Sequence, residues 1–178
     1  MAPGIPLAAA ARAVAAVSSE RPFDRSYAYK GFKVRVAEGR GEARSIGTYT
    51  ITLVSPDGKV TVAKEPRDGT MQDAWVADLS GQGGFEIVTA TQSSGSGSYG
   101  ALAVFRWTGT SLMPLNVADL SPEQKRGYRG HDVFRLDRGR LVRTFPVYRP
   151  NDPNAHASGG TRRLVYDFQH NKWVSELR

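Results

Sequence analysis

Beyond residue 25 the chain is written in a period of two. Residues 27–36, 49–54 and 73–79 alternate apolar with polar side chains, and β-branched and aromatic residues crowd these stretches. Only an extended strand turns every second side chain to one face, so this pattern commits the chain to β-sheet. Turn chemistry falls between the alternating runs. Ser55-Pro56-Asp57-Gly58 separates residues 49–54 from the returning run 59–62, Asp137-Arg138-Gly139 bends residues 133–147, and His170-Asn171-Lys172 bends residues 162–174. A Gly-rich turn after Leu79 leads into residues 85–91, and residues 101–107 form the next apolar run. About eight to ten short strands predict an all-β fold, an antiparallel β-sandwich or open barrel. One short helix is expected: Ser121 as N-cap, Pro122 in the first helical position, Gln124 as capping-box partner, and Gly127 to end it.

With 178 residues, the chain has enough length for one well-buried core. Residues 21–178 are therefore read as a single β-sandwich domain, and residues 1–20 as a leader or the remnant of a signal peptide. That leader is Ala-rich and carries small residues at Ala15-Ala16-Val17-Ser18-Ser19, like the end of a bacterial export signal. It lacks a basic start, and Arg12 interrupts its apolar run. No stretch approaches the roughly eighteen apolar residues of a membrane span. With no cysteine, disulfide frameworks, thiolate metal sites and cysteine nucleophiles are excluded. The net charge of +7 favours acidic partners, whether nucleic acid, an anionic surface or a protein with a carboxylate-lined cleft. The cations are scattered through Lys30, Lys33, Arg35, Arg40 and Arg44, then Arg126, Arg129, Arg135, Arg138, Arg140 and Arg143. No run of five appears, so neither nucleic acid nor a membrane is the expected partner.

Catalysis finds no positive support. The segment from Asp78 to Glu86 has the outline of an oxygen-ligand calcium loop, but Ser80 and Gln82 stand where carboxylates are needed, and a tight Gly-rich turn is the better account. His131, His156 and His170 each adjoin turn residues without metal-site spacing. Ser96 lacks the strand-to-helix nucleophile elbow, and no phosphate loop or dinucleotide fingerprint occurs. No catalytic residue, metal ligand or cofactor is predicted.

Binding has two candidates. Residues 93–100 read Ser-Ser-Gly-Ser-Gly-Ser-Tyr-Gly between two apolar strands, where two to five residues would suffice for the connection. Small side chains with many hydroxyl and backbone groups suit a narrow protrusion entering another molecule's cleft, or a cradle around a ligand. A flexible hairpin end with a surface Tyr is the plain alternative. The second candidate is the polar, proline-stiffened segment 146–163. There Tyr148, Arg149, Arg162 and Arg163 are aromatic and cationic anchors of the kind enriched in interfaces. A rigid surface loop explains it as well.

Ser96-Gly97-Ser98-Tyr99 resembles the Ser-Gly-x-Tyr motif of bacterial periplasmic lysozyme inhibitors, above all those of invertebrate-type (i-type) lysozyme. Further blocks are similar in the same order: residues 75–79, Gly130-His131-Asp132, residues 141–148 and residues 159–166. The resemblance covers roughly residues 73–168. It implies a periplasmic β-sandwich protein, often dimeric and not an enzyme, that protects bacterial peptidoglycan from host lysozyme by seating this loop in the enzyme's substrate cleft. Ser96, Gly97, Ser98 and Tyr99 would make the contact, with His131, Tyr148, Arg149 and Arg162 as a secondary interface. The alternative reading is a secreted β-sandwich module for glycan or cell-wall material, stacking sugars on Tyr99, Trp107 and Tyr148.

Overall fold

The alternating stretches fold as hairpins. The computed structural model describes residues 21–176, so the leader reading lies outside the described residues. Twelve strands follow in chain order: β1 (Asp24–Tyr29), β2 (Phe32–Glu38), β3 (Ile46–Val54), β4 (Val60–Asp68), β5 (Thr70–Ala77), β6 (Glu86–Gln92), β7 (Gly100–Trp107), β8 (Leu112–Leu115), β9 (Val133–Asp137), β10 (Arg140–Pro146), β11 (Thr161–Asp167) and β12 (Lys172–Ser175). They form three four-stranded antiparallel sheets, β1-β2-β3-β4, β5-β6-β7-β8 and β12-β11-β10-β9. The expected all-β sandwich is present, with one more layer than a simple pair of sheets.

The middle layer is the β5–β8 sheet, because its two faces feed two different cores. Ile87 and Phe105 point to one side and join Val34, Val36, Tyr49, Ile51 and Leu53 of the first sheet. Their neighbours Val88 and Val104 point the other way and join Leu141, Phe145, Leu164, Tyr166 and Trp173 of the third. Residues 86–90 of β6 are consequently all buried. A strand covered on both faces reads as a continuous apolar run instead of an alternation, and Ile87-Val88 is such a place. Thr89 is polar too, but Glu86 is the one charged residue among residues 86–90. Its buried carboxylate accepts from Leu79 N at 2.9 Å, Ser80 N at 3.2 Å and Arg106 Nε at 2.9 Å, which satisfies a charge that would otherwise be costly to bury.

Two expectations need correction. Residues 27–36 are not one strand. Lys30 (φ 46°) and Gly31 (φ 83°) both take positive φ and turn the chain between Tyr29 and Phe32, which face each other across the β1–β2 ladder. Two left-handed central residues make the tight turn that suits strand twist. The apolar phase slips there from odd to even positions. The expected helix is also missing among the described residues. Its capping box forms, with Ser121 N donating to Gln124 Oε1 (3.0 Å) and Gln124 N to Ser121 Oγ (3.2 Å). One helical bond, Lys125 N to Ser121 O, follows before the bonding tightens and Gly127 (φ 72°) turns away. A single turn leaves the cost of helix nucleation unrecovered.

Truncating Ile87, which is fully buried between the first two layers, should destabilise the protein by about 2–5 kcal/mol in Ile87→Ala. The exposed outer-face change Val62→Thr should stay within about 0.5 kcal/mol. Urea unfolding midpoints of the two variants check the layer assignment.

Candidate functional site

The β6–β7 connection projects from one end of the middle sheet. It is tied by its own small side chains. Ser98 N donates to Gly95 O (2.9 Å), Ser93 N to Tyr99 O (2.9 Å), and Tyr99 N to Ser93 Oγ (3.0 Å). Gln92 Nε2 reaches Ser98 O at 3.2 Å. Ser96 is exposed, and Tyr99 keeps half its surface in solvent, the one aromatic among the exposed large apolar side chains of the described residues. The Tyr99 ring lies over Gly97, where a Cβ would come within 2.9 Å of Cδ2. Gly97 thus makes room for the ring.

Beneath the loop, the segment before β9 holds it from below. His131 N donates to Gly97 O (2.8 Å) and Ser98 O (3.1 Å). Ser98 (φ 43°) and His131 (φ 61°) are both non-glycine residues in the left-handed region, a conformation that surrounding contacts must impose. Asp132 takes the next bond, accepting from Gly100 N at 2.8 Å. Its carboxylate also receives Tyr128 Oη at 2.5 Å and Arg143 Nε at 2.7 Å, and Arg143 NH2 donates to Tyr128 Oη at 2.9 Å. The Asp132 side chain is wholly buried. Burial, then the bond to Asp132 and its negative charge, push the Tyr128 hydroxyl well above its ordinary pKa, so this phenol stays protonated as a donor. The Tyr128 ring meets Tyr99 edge-on, with centroids 5.7 Å apart. Arg143 sits among the rings of Tyr128, Phe134, Phe145 and Trp173 at 5.2–5.6 Å.

The residues read as a secondary interface divide. His131 and Tyr148 line one groove with Ser96, Gly97, Tyr99, Arg129 and Asn154. Tyr148 is nearly buried, however, with Oη donating to Asn154 O (3.1 Å) and the Arg129 guanidinium 4.8 Å above its ring. It is a wall of the groove more than an anchor. Arg149 is exposed and lines the adjoining depression with Arg126 and Arg162. Arg162 has a local task, donating to the carbonyls of Glu123, Gln124 and Arg126 and so fastening the one-turn segment. Tyr128, Arg129 and Asn154 were not singled out from sequence. The nearest sequence signal is the Gly130-His131-Asp132 block, which enters through the resemblance alone. In the Asp78 turn, Oδ1 and Oδ2 accept from Gly81 N (2.8 Å) and Gly83 N (3.0 Å), so the acidic groups serve the backbone.

Residues 29–126 match the family model described as periplasmic lysozyme inhibitor of I-type lysozyme. Two solved structures are similar. One is PliI-Ah, a periplasmic lysozyme inhibitor of I-type lysozyme from Aeromonas hydrophyla. The other is Aeromonas hydrophila PliI in complex with Meretrix lusoria lysozyme. Each shares 32% identity over 56% of this chain with a TM-score of 0.49, covering 92% and 88% of its own chain respectively. No curated protein matches. The Ser96–Tyr99 motif lies inside the matched residues. So do residues 29–72, which precede the resemblance at 73–168, whereas the blocks at 130–132, 141–148 and 159–166 lie beyond them.

Gly130 has φ 87°, and a Cβ there would collide with Gly97 O. Gly130→Ala should therefore cost more than about 1 kcal/mol and shift the amide resonances of Gly97 and Ser98. Asp152 caps the 149–158 loop, accepting from Arg149 N, Ser158 N and Ser158 Oγ. These bonds, those from the Ser158 and Arg149 amides first, depress its pKa from 3.8 to about 2. A depressed carboxylate pKa gives stability that is whole above the unfolded value and is lost as pH falls through the folded one. The Ser158 amide shift should stay constant as pH falls through the ordinary carboxylate range and titrate with its midpoint near pH 2.

Proposed function

This chain belongs to the family of periplasmic lysozyme inhibitors of I-type lysozyme, and from that premise we propose that it blocks an i-type lysozyme by seating Ser96-Gly97-Ser98-Tyr99 in the enzyme's substrate cleft. It acts by occupying a site, not by chemistry of its own. By its description the family is periplasmic, and among the described residues no helix is long and apolar enough to cross a membrane.

The observation that carries this reading is the shape and exposure of the β6–β7 loop. It is narrow because its residues are small, and it presents Ser96 and one half-exposed aromatic ring, that of Tyr99. A lysozyme cleft is built around two carboxyl groups. The Ser96 and Tyr99 hydroxyls are donors that can meet them, and bonds to ionised acceptors are the stronger kind. Charge supports the same partner. Arg129, which lines the groove with Ser96 and Tyr99, hydrogen-bonds the neutral acceptors Asp152 O and Asn154 Oδ1, so its positive charge is kept beside the loop. A net charge of +7 draws the protein toward an acidic cleft, raising the association rate more than the final affinity.

Glycan stacking has less support. Tyr99 and Trp107 are eight residues apart along β7, roughly 26 Å at strand spacing. Trp107 packs edge-on against Phe32 at 5.9 Å, and Tyr148 is nearly buried. The three rings offer no common platform.

The loop reading is tested with a folded Ser96→Ala, Tyr99→Ala double variant titrated against i-type lysozyme by calorimetry. Each substitution should weaken binding by about 1–3 kcal/mol, the cost of leaving a buried partner short of a bond. Unchanged affinity would sink the loop mechanism. Association should also slow as salt is raised.

A further inference from the structure

The buried Asp132 carboxylate joins the backbone at the end of the loop, through Gly100 N, to Tyr128 and to Arg143 of β10. We propose that Asp132, clamped by Tyr128 and Arg143, is a positioning residue that sets the Ser96–Tyr99 loop in its binding shape before lysozyme arrives; this inference rests on the loop being the contact surface. The geometry is a staple with two legs. One leg is the His131 amide on Gly97 O and Ser98 O, and the other is Asp132 on Gly100 N. Together they grip the backbone on both sides of Tyr99. The Tyr99 ring then rests edge-on against Tyr128, whose hydroxyl is fixed by Asp132 and Arg143.

Space is as restrictive as bonding. A Cβ on Gly100 would lie 2.5 Å from Phe134 Cε2 and 2.6 Å from Asp132 Cβ. Nothing but hydrogen fits between strand and staple there. A buried ion pair is usually near neutral for stability against an apolar replacement, so its presence under an exposed Ser- and Gly-rich loop asks for another explanation. Ordering a loop of small residues on binding is costly, and a loop ordered in advance avoids that cost. Tyr128, Asp132 and Arg143 all lie beyond the residues that match the family model.

The test uses the full chain carrying Asp132→Asn, which keeps the shape and removes the charge. Amide hydrogen exchange at Ser98, Gly100 and His131, whose amides donate in the loop and the staple, should quicken at least about tenfold, while Val88 and Leu164 in the cores keep their protection. Inhibition of i-type lysozyme should weaken about tenfold, and this loss should vanish in a Tyr99→Ala background. Unchanged exchange at the loop, or the same extra loss in that background, would overturn the proposal. Should Asp132→Asn fail to fold, Tyr128→Phe removes only the hydroxyl and must show the same pattern in smaller degree. If the wild-type chain inhibits no lysozyme, the loop-contact reading falls, and the exchange data alone decide whether Asp132 sets the loop.

Discussion

Burial of β6 on both faces is the constraint from which the architecture follows. A strand whose successive residues Ile87 and Val88 enter two separate cores needs a sheet on either side. The first sheet supplies Val36, Ile51 and Leu53 to one core, and the third supplies Leu141, Phe145 and Leu164 to the other. With so much apolar surface around it, the one charge on the strand's buried face, Glu86, has to be matched by two amides and Arg106. The same double burial makes β6 a rigid root from which to project a loop.

The loop inherits that rigidity at its roots and gains more from the third sheet. Arg143 comes from β10 and Asp132 from the segment entering β9, and their pairing carries the order of the third sheet into the backbone beside Tyr99. Arg129, in the groove beside the loop, bonds neutral acceptors. The groove beside Tyr99 therefore presents a positive charge of the kind that an acidic cleft would favour.

Much of this was legible in residues. Turn chemistry at 55–58, 137–139 and 170–172 marked the later hairpins, and the excess of Ser and Gly at 93–98 marked the loop and carried the family resemblance. The Lys30-Gly31 turn was also visible in principle, as a slip of the apolar phase from Tyr29 to Phe32, but alternation on both sides disguised it. The third layer left a fainter trace, the unbroken Ile87-Val88 pair. The staple left almost none. Gly100 and Asp132 are thirty-two positions apart, and no local pattern says that the carboxylate of one will meet the amide of the other. The capping box at Ser121 forms and still gives no helix, because a cap lowers the cost of starting a helix without supplying the turns that follow it.

The most direct measurement is lysis of bacterial cell walls by i-type, goose-type and chicken-type lysozymes, each titrated with the purified protein. The account predicts that i-type activity is lost near equimolar protein while the other two are spared. Undiminished i-type activity at a large excess of folded protein would contradict it.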